Sequence, residues 1–433
     1  MPKRNIPAVQ ATYHLLAVDS DGHEIPDPDV NGGRTTDEII RLLKAAPVTD
    51  VFLWSHGWKG DVPAAYEQYD KWVGAFSGLP ADRALMEKSR PGFKELHVGL
   101  HWPSLAWGDE TPAVGDSFAP QLSFTVDTLV DQYAVPLGDT PAVREALGQL
   151  FAELRTNAAA LELTPKARDA YFALDRALAL GADGTPGEGA ADRASFNPDQ
   201  TVETAQDEVS FGSGASGSLL SPLRQLTFWT MKKRASKIGE LFLHGFIARL
   251  MTENPYVRVH LMGHSFGCIV MSSALAGPHA TSPLPRPVAS CVLVQGAMSL
   301  WAYASKIPFE DGVAGYFSRV LADSKVSGPI VTTRSKHDYA VGKLYPWAAG
   351  VANQFAYDTL PQFGAIGAFG ICGTPTESLL MRPATEAYDL KSSVIYNVDG
   401  SQFICKIDGV SGAHSDIAGP EVAHLIWQAA LPV

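Results

Sequence analysis

Short apolar runs rich in β-branched residues alternate along this chain with longer stretches in which apolar positions recur every third or fourth residue. The first pattern fits buried strands and the second amphipathic helices. Thr12 to Val18 reads as a strand closed by the turn Asp19-Ser-Asp-Gly22, and Thr36 begins a short helix through Leu43. Asp50 to Trp54 reads as a buried strand running into Ser55-His56-Gly57-Trp58-Lys59-Gly60. An amphipathic helix from Ala64 to Phe76 and another strand from Leu96 to His101 follow. This alternation predicts an α/β fold built on a doubly wound, mostly parallel sheet.

After Trp102-Pro103 the pattern stops, and it resumes at Tyr256. The intervening ~150 residues are too many for a loop and imply an inserted structure. The core is therefore expected over 10–103 and 255–433, with a large, mainly helical cap insertion over 104–254. Pro141 to Leu161 and Pro165 to Leu180 look like two of its helices. Ala182 to Gly217 holds seven acidic residues and one arginine among many Gly and Ser, which predicts a flexible linker. From Ser221 to Met251 a helical pattern returns, with Met231, Ala235, Ile238, Phe242 and Phe246 on one side and Lys232, Lys233, Arg234 and Lys237 elsewhere. A packed cap helix is the expectation, and a membrane-surface lid the alternative.

Beyond Tyr256 the alternation continues with a strand over Val288 to Val294, a helix near Val313 to Leu321, and a strand over Pro329 to Thr333. Tyr345 to Met381 carries only Asp358 and Glu377 as charges, so it either packs under the insert or lines an apolar cleft. The chain closes with strands Ser393 to Val398 and Phe403 to Ile407 around the turn Asp399-Gly400, then a helix from Pro420 to Ala430.

Charge and cysteine usage narrow the function. A net charge of −12 and a pI near 5.4 argue against nucleic acid, which needs a basic face. No secretory apolar core is evident near Met1, and no uncharged apolar run reaches the ~18 residues of a membrane span. Cys268, Cys291, Cys372 and Cys405 show no CxxC spacing and read as free thiols in a reducing cytoplasm. No His/Cys/Asp spacing suits zinc, and no glycine-rich phosphate loop is present, so neither a metal nor another cofactor is expected.

The most informative segment runs from Val257 to Val270, where an apolar run leads into Gly263-His264-Ser265-Phe266-Gly267 and then into a small, apolar helix-like stretch. It resembles the nucleophile elbow of the α/β-hydrolase superfamily, esterases and lipases included. The resemblance implies that Ser265 is a nucleophile, and a serine hydroxyl needs a base within reach and an acid to orient that base. Downstream histidines are His279, His337, His414 and His424. His414 sits in a small-residue loop before the last helix, where the resembling family carries its base, whereas His424 lies inside that helix. Asp338, just past the end of a strand, is the leading acid, with Asp416 the alternative and no carboxylate in Gln295-Gly-Ala-Met-Ser299 one strand earlier.

His56-Gly57-Trp58 resembles the oxyanion loop of lipases and esterases, which implies that the N–H groups of Phe266 and Trp58 stabilise an oxyanion. His56, Gly57 and His264 would then line the substrate. The implied activity is hydrolysis of a small-molecule or lipid-like carboxylic ester through an acyl-serine. An amidase or peptidase, or a non-catalytic binding protein on the same fold, are the alternatives.

Overall fold

A computed structural model describes residues 3–30, 32–58, 62–104, 125–157, 160, 162–180, 194–209, 219–278, 283–344 and 360–432. The chain packs as two units. One comprises Met1–Ser104, Arg234–Tyr345 and Ala356–Val433, the other Leu105–Lys233 and Pro346–Phe355. The segment 234–254, expected in the insert, is thus counted with the larger unit.

That larger unit holds a nine-stranded sheet of β1 (Lys3–Ile6), β2 (Ala11–Ala17), β3 (Asp50–Ser55), β4 (Glu95–His101), β5 (Arg258–His264), β6 (Ser290–Val294), β7 (Ile330–Arg334), β8 (Glu377–Leu380) and β9 (Ile395–Asp399). Its spatial order is β1-β2-β4-β3-β5-β6-β7-β9-β8. Among the described strands only the β1–β2 pair is antiparallel. Every residue of β3 and β6 is buried, as expected of central parallel strands covered on both faces. Strand order reverses between β3 and β5, and open α/β sheets place their working crevice beyond the carboxyl ends of the strands at such a point.

One face of the sheet is covered by helices Val62–Ser77 and Pro420–Ala430, whose side chains form an aromatic core with the strands. Phe76 stacks on Trp427 at 4.0 Å, and Phe52, Trp54 and Phe76 surround the ring of His97. On the other face lies helix Gly267–Ala276, every residue of which is buried. Gly239 crosses it so closely that a Cβ there would stand 2.3 Å from the Val270 carbonyl oxygen, and the crossing helix widens to a π turn over Gly239–Leu243. At the amino ends of the strands, buried Asp50 accepts hydrogen bonds from Arg90, His260 and Thr49, and Arg90 also donates to the Ala430 carbonyl.

The structure corrects several expected elements. Phe403 to Ile407 is not a strand. Instead the N–H groups of Phe403 and Ile404 fold back onto the Gly400 carbonyl in a turn that buries Ile404, and β9 pairs with β8. The helix near Val313 to Leu321 shrinks to Ser318–Ala322, and Val288 makes an isolated bridge to Val326 ahead of β6. Helix Pro80–Ser89 and edge strand β1 were not anticipated.

In the second unit, Thr125, Thr140 and Thr164 cap helices Val126–Leu137, Pro141–Thr156 and Pro165–Leu178, their side chains each accepting a backbone N–H of the first turn. The expected linker is only partly testable, because 181–193 and 210–218 lie outside the described residues. Its middle is helix Pro198–Val209, not flexible chain. Asn197 accepts the Gln200 N–H, Arg168 grips Asp199 with two hydrogen bonds, and the Thr201 hydroxyl donates to Gln225.

The long helix from Ser221 buries Met231, Ala235 and Ile238 as expected. Its lysines have partners within the protein: Lys237 with Asp21, Lys233 with the Ala179 carbonyl, and Lys232 over the Trp229 ring. Of the apolar stretch Tyr345 to Met381, residues 345–359 lie outside the described residues. The remainder includes a short helix, Ile366–Phe369, beside β7. Among the described residues no helix is long and apolar enough to cross a membrane.

Candidate active site

The turn after β5 is set by three close approaches. A Cβ on Gly263 would lie 2.4 Å from the Gly267 carbonyl oxygen, one on Gly267 would lie 2.2 Å from that of Ser55, and one on Gly57 would lie 2.5 Å from Ser265 Cβ. Side chains at these positions would force the strand, the helix and the β3 loop apart. Ser265 between them takes φ +56, a conformation that an L-residue holds only when its surroundings impose it. Here they do, since the Ser265 N–H donates to Val294 and its carbonyl accepts from Cys268 and Ala297.

Pairing of β3 with β5 puts Ser55 opposite Gly263, which brings His56-Gly57-Trp58 alongside the elbow. Phe266 stands at the start of helix Gly267–Ala276, where backbone N–H groups lie outside the intrahelical ladder. Its ring lies 5.7 Å from that of Trp58. His56 is held inside the protein. Its Nδ1 donates to the Gly57 carbonyl, its Nε2 accepts the Trp102 N–H, and its ring stacks on Trp102 at 5.7 Å. Burial, with His101 nearby, pushes its pKa down to about 3, so His56 is a neutral brace for the β3 loop.

Asp338 follows β7 and is buried, and its Oδ2 accepts from His414 Nδ1 at 2.7 Å. Backbone pairing of Asp338 with Gly412 and donation from the Ala413 N–H to the His337 carbonyl at 2.7 Å clamp the two loops together. His264 Nε2 donates to the His414 carbonyl at 2.9 Å, with the two rings 4.7 Å apart. The other His264 nitrogen accepts from Gln68 at 3.3 Å, and burial holds the ring neutral with its pKa well below the usual range. His264 thus secures the loop that carries His414. Ser265 Oγ makes no hydrogen bond to His414 in this structure. Asp416, the alternative acid, instead accepts the N–H groups of Cys405 and Lys406. His424 is tied to Asp82, away from the elbow.

Compared with models of known protein families, with curated proteins and with solved structures, the chain has no match.

Two features of the site escaped the sequence. Gln295, at the end of β6, donates from Nε2 to Asp338 Oδ2 at 2.8 Å, and its only sequence signal was its place at a strand end where a carboxylate had been sought. A cleft of about 200 Å³ also lies beside the His414 loop, between Gln68 and Trp72 of one helix and Ser415 and Ile417, with His264 at its wall. Among the described residues the one group with metal-ligand spacing is Asp19, Asp21 and His23, on an exposed turn already closed by its own hydrogen bonds.

Proposed function

We propose that this chain is a serine hydrolase of α/β-hydrolase type that cleaves carboxylic esters. The observation that carries the proposal is the hydrogen bond of buried Asp338 to His414, whose loop is held by His264, the residue before a serine in a left-handed turn at the carboxyl edge of the sheet. In this reading Ser265 Oγ attacks the ester carbonyl while His414 Nε2 removes its proton. The N–H groups of Phe266 and Trp58 donate to the developing oxyanion, worth on the order of 3 kcal/mol each in such sites. The alkoxide leaves with the proton from His414, and water then repeats the sequence on the acyl-serine. Asp338 holds the imidazole in the tautomer with Nδ1 protonated, leaving Nε2 free to act as base. The missing Ser265–His414 hydrogen bond is compatible with this role, because catalytic hydrogen bonds tighten when substrate binds.

That same gap is what favours the second reading, a non-catalytic binding protein on a hydrolase fold. A fluorophosphonate probe followed by a p-nitrophenyl ester series separates the two. The proposal expects labelling at Ser265 and hydrolysis, both abolished in Ser265→Ala without loss of folding. Turnover persisting in Ser265→Ala would refute the acyl-serine, and an unlabelled, inert wild type would favour the binding protein. An amide series run alongside reports whether the site belongs to an amidase or peptidase.

A further inference from the structure

Gln295 is completely buried and sits at φ +48 directly after β6. Its side-chain amide is oriented by Thr333, whose hydroxyl donates to Gln295 Oε1 at 3.0 Å and accepts the Gln295 backbone N–H at 3.0 Å. With the oxygen thus occupied, Nε2 is turned toward Asp338 Oδ2 at 2.8 Å, the same oxygen that accepts from His414 Nδ1. The remaining carboxylate oxygen, Oδ1, accepts the Val341 N–H at 3.1 Å. Gly367 closes the space behind, where a Cβ would stand 2.7 Å from the Gln295 carbonyl carbon, so the strained backbone cannot relax outward.

We infer that Gln295 is a positioning residue that acts through Asp338, a deeper role for the site that rests on the hydrolase reading above. A second donor on Oδ2 fixes the carboxylate's rotation so that one oxygen faces His414. It also draws charge from that oxygen, which limits how strongly the aspartate holds a proton on the imidazole. The amide therefore keeps His414 a weaker and better aimed base than Asp338 alone would make it. Asp338 bonds the His414 imidazole directly, and the His264 ring beside it is held neutral by burial.

The test is Gln295→Met, which keeps volume and removes the donor, with Thr333→Val as a second variant that frees the amide to rotate. For Gln295→Met, kcat is expected to fall about tenfold or more with KM nearly unchanged, the scale of one lost hydrogen bond to a charge. The acid limb of the kcat/KM profile should move to higher pH. Thr333→Val should shift both in the same direction by less. NMR titration of the His414 imidazole in the full chain gives a readout that needs no turnover, and its midpoint should rise in both variants. An unchanged titration in folded Gln295→Met would overturn the role of Gln295 and leave the hydrolase reading standing. An inert wild type whose His414 midpoint still rises on Gln295→Met would do the reverse.

Discussion

Acid should unfold this protein earlier than its carboxylates alone would dictate, because several histidines are buried in neutral form. Burial pushes the pKa of His14 and His97 down to about 4 and that of His56 to about 3. In the unfolded chain each titrates near 6.5. Below pH 6.5 the unfolded state therefore takes up protons that the folded state refuses, and stability falls as pH drops from about 6.5 toward about 4. Between pH 7 and 5 each such group removes roughly 2 kcal/mol, so the three together remove roughly 6, against a total of about 5–15 kcal/mol for a typical domain.

His97 isolates one share, since its ring lies among Phe52, Trp54 and Phe76 and its Nε2 has no hydrogen-bond partner. In His97→Phe the loss between pH 7 and 5 should shrink by roughly 2 kcal/mol relative to wild type. Urea unfolding followed by tryptophan fluorescence measures it, because Trp54, Trp72, Trp102 and Trp427 are all buried in the sheet unit. Packing costs of the substitution cancel in the difference between the two pH values. Equal pH dependence in variant and wild type, within about 0.5 kcal/mol, would show that His97 is not held neutral.

The pair His424–Asp82 should behave with the opposite sign. Burial lowers the imidazole's proton affinity, but the Asp82 carboxylate and the Glu386 carbonyl outweigh it and the pKa is raised. Its contribution is thus full below about 6.5 and lost as pH rises through the folded value, so Asp82→Asn should lower the melting temperature more at pH 6 than at pH 8.5. Equal losses at both would remove the ion pair. Asp338→Asn should reduce kcat by several orders of magnitude and Asp416→Asn far less, because only Asp338 reaches His414; steady-state kinetics showing the reverse ranking would move the acid to Asp416. Gly57→Ala should abolish ester hydrolysis by driving its methyl into Ser265, and an active, equally stable variant would contradict the close approach described.

How far the sequence could be read depended on whether a residue's role was local. The elbow was legible because Gly263 and Gly267 are required by contacts within a few residues of Ser265 or on the adjacent β3 loop. Asp338 and His414 were legible as strand-end and loop positions, although nothing in the sequence showed that the Asp338–Gly412 bridge would join them. Gln295 was passed over because it lacks a carboxylate, and its contact with Asp338 exists only once β6 and β7 lie side by side. Strand β1 was missed because Lys3-Arg4-Asn5-Ile6 is a polar, exposed edge with no apolar alternation. Helix Pro198–Val209 was hidden by the glycine- and serine-rich residues on both sides, and its anchor, Arg168, belongs to another helix. Phe403 to Ile407 had the composition of a strand, but the chain turns at Gly400 so that Ile404 enters the core with Phe403 half-buried against it.

The contacts of Gly57 and Gly267 tie two stretches of sequence about two hundred residues apart into a single steric unit. Gly57 is glycine because of Ser265, and Gly267 is glycine because of Ser55 and His56, so neither stretch can be exchanged without regard to the other. In chimaeras made with a distant homologue, a crossover placed between residues 58 and 257 would separate parts that fit only as a pair, whereas a block carrying both, with its own intervening chain, would inherit a matched fit. Recombinant libraries should therefore show linked inheritance of these two segments even where every donor has glycine at both positions, because the backbone offset between them is what must agree.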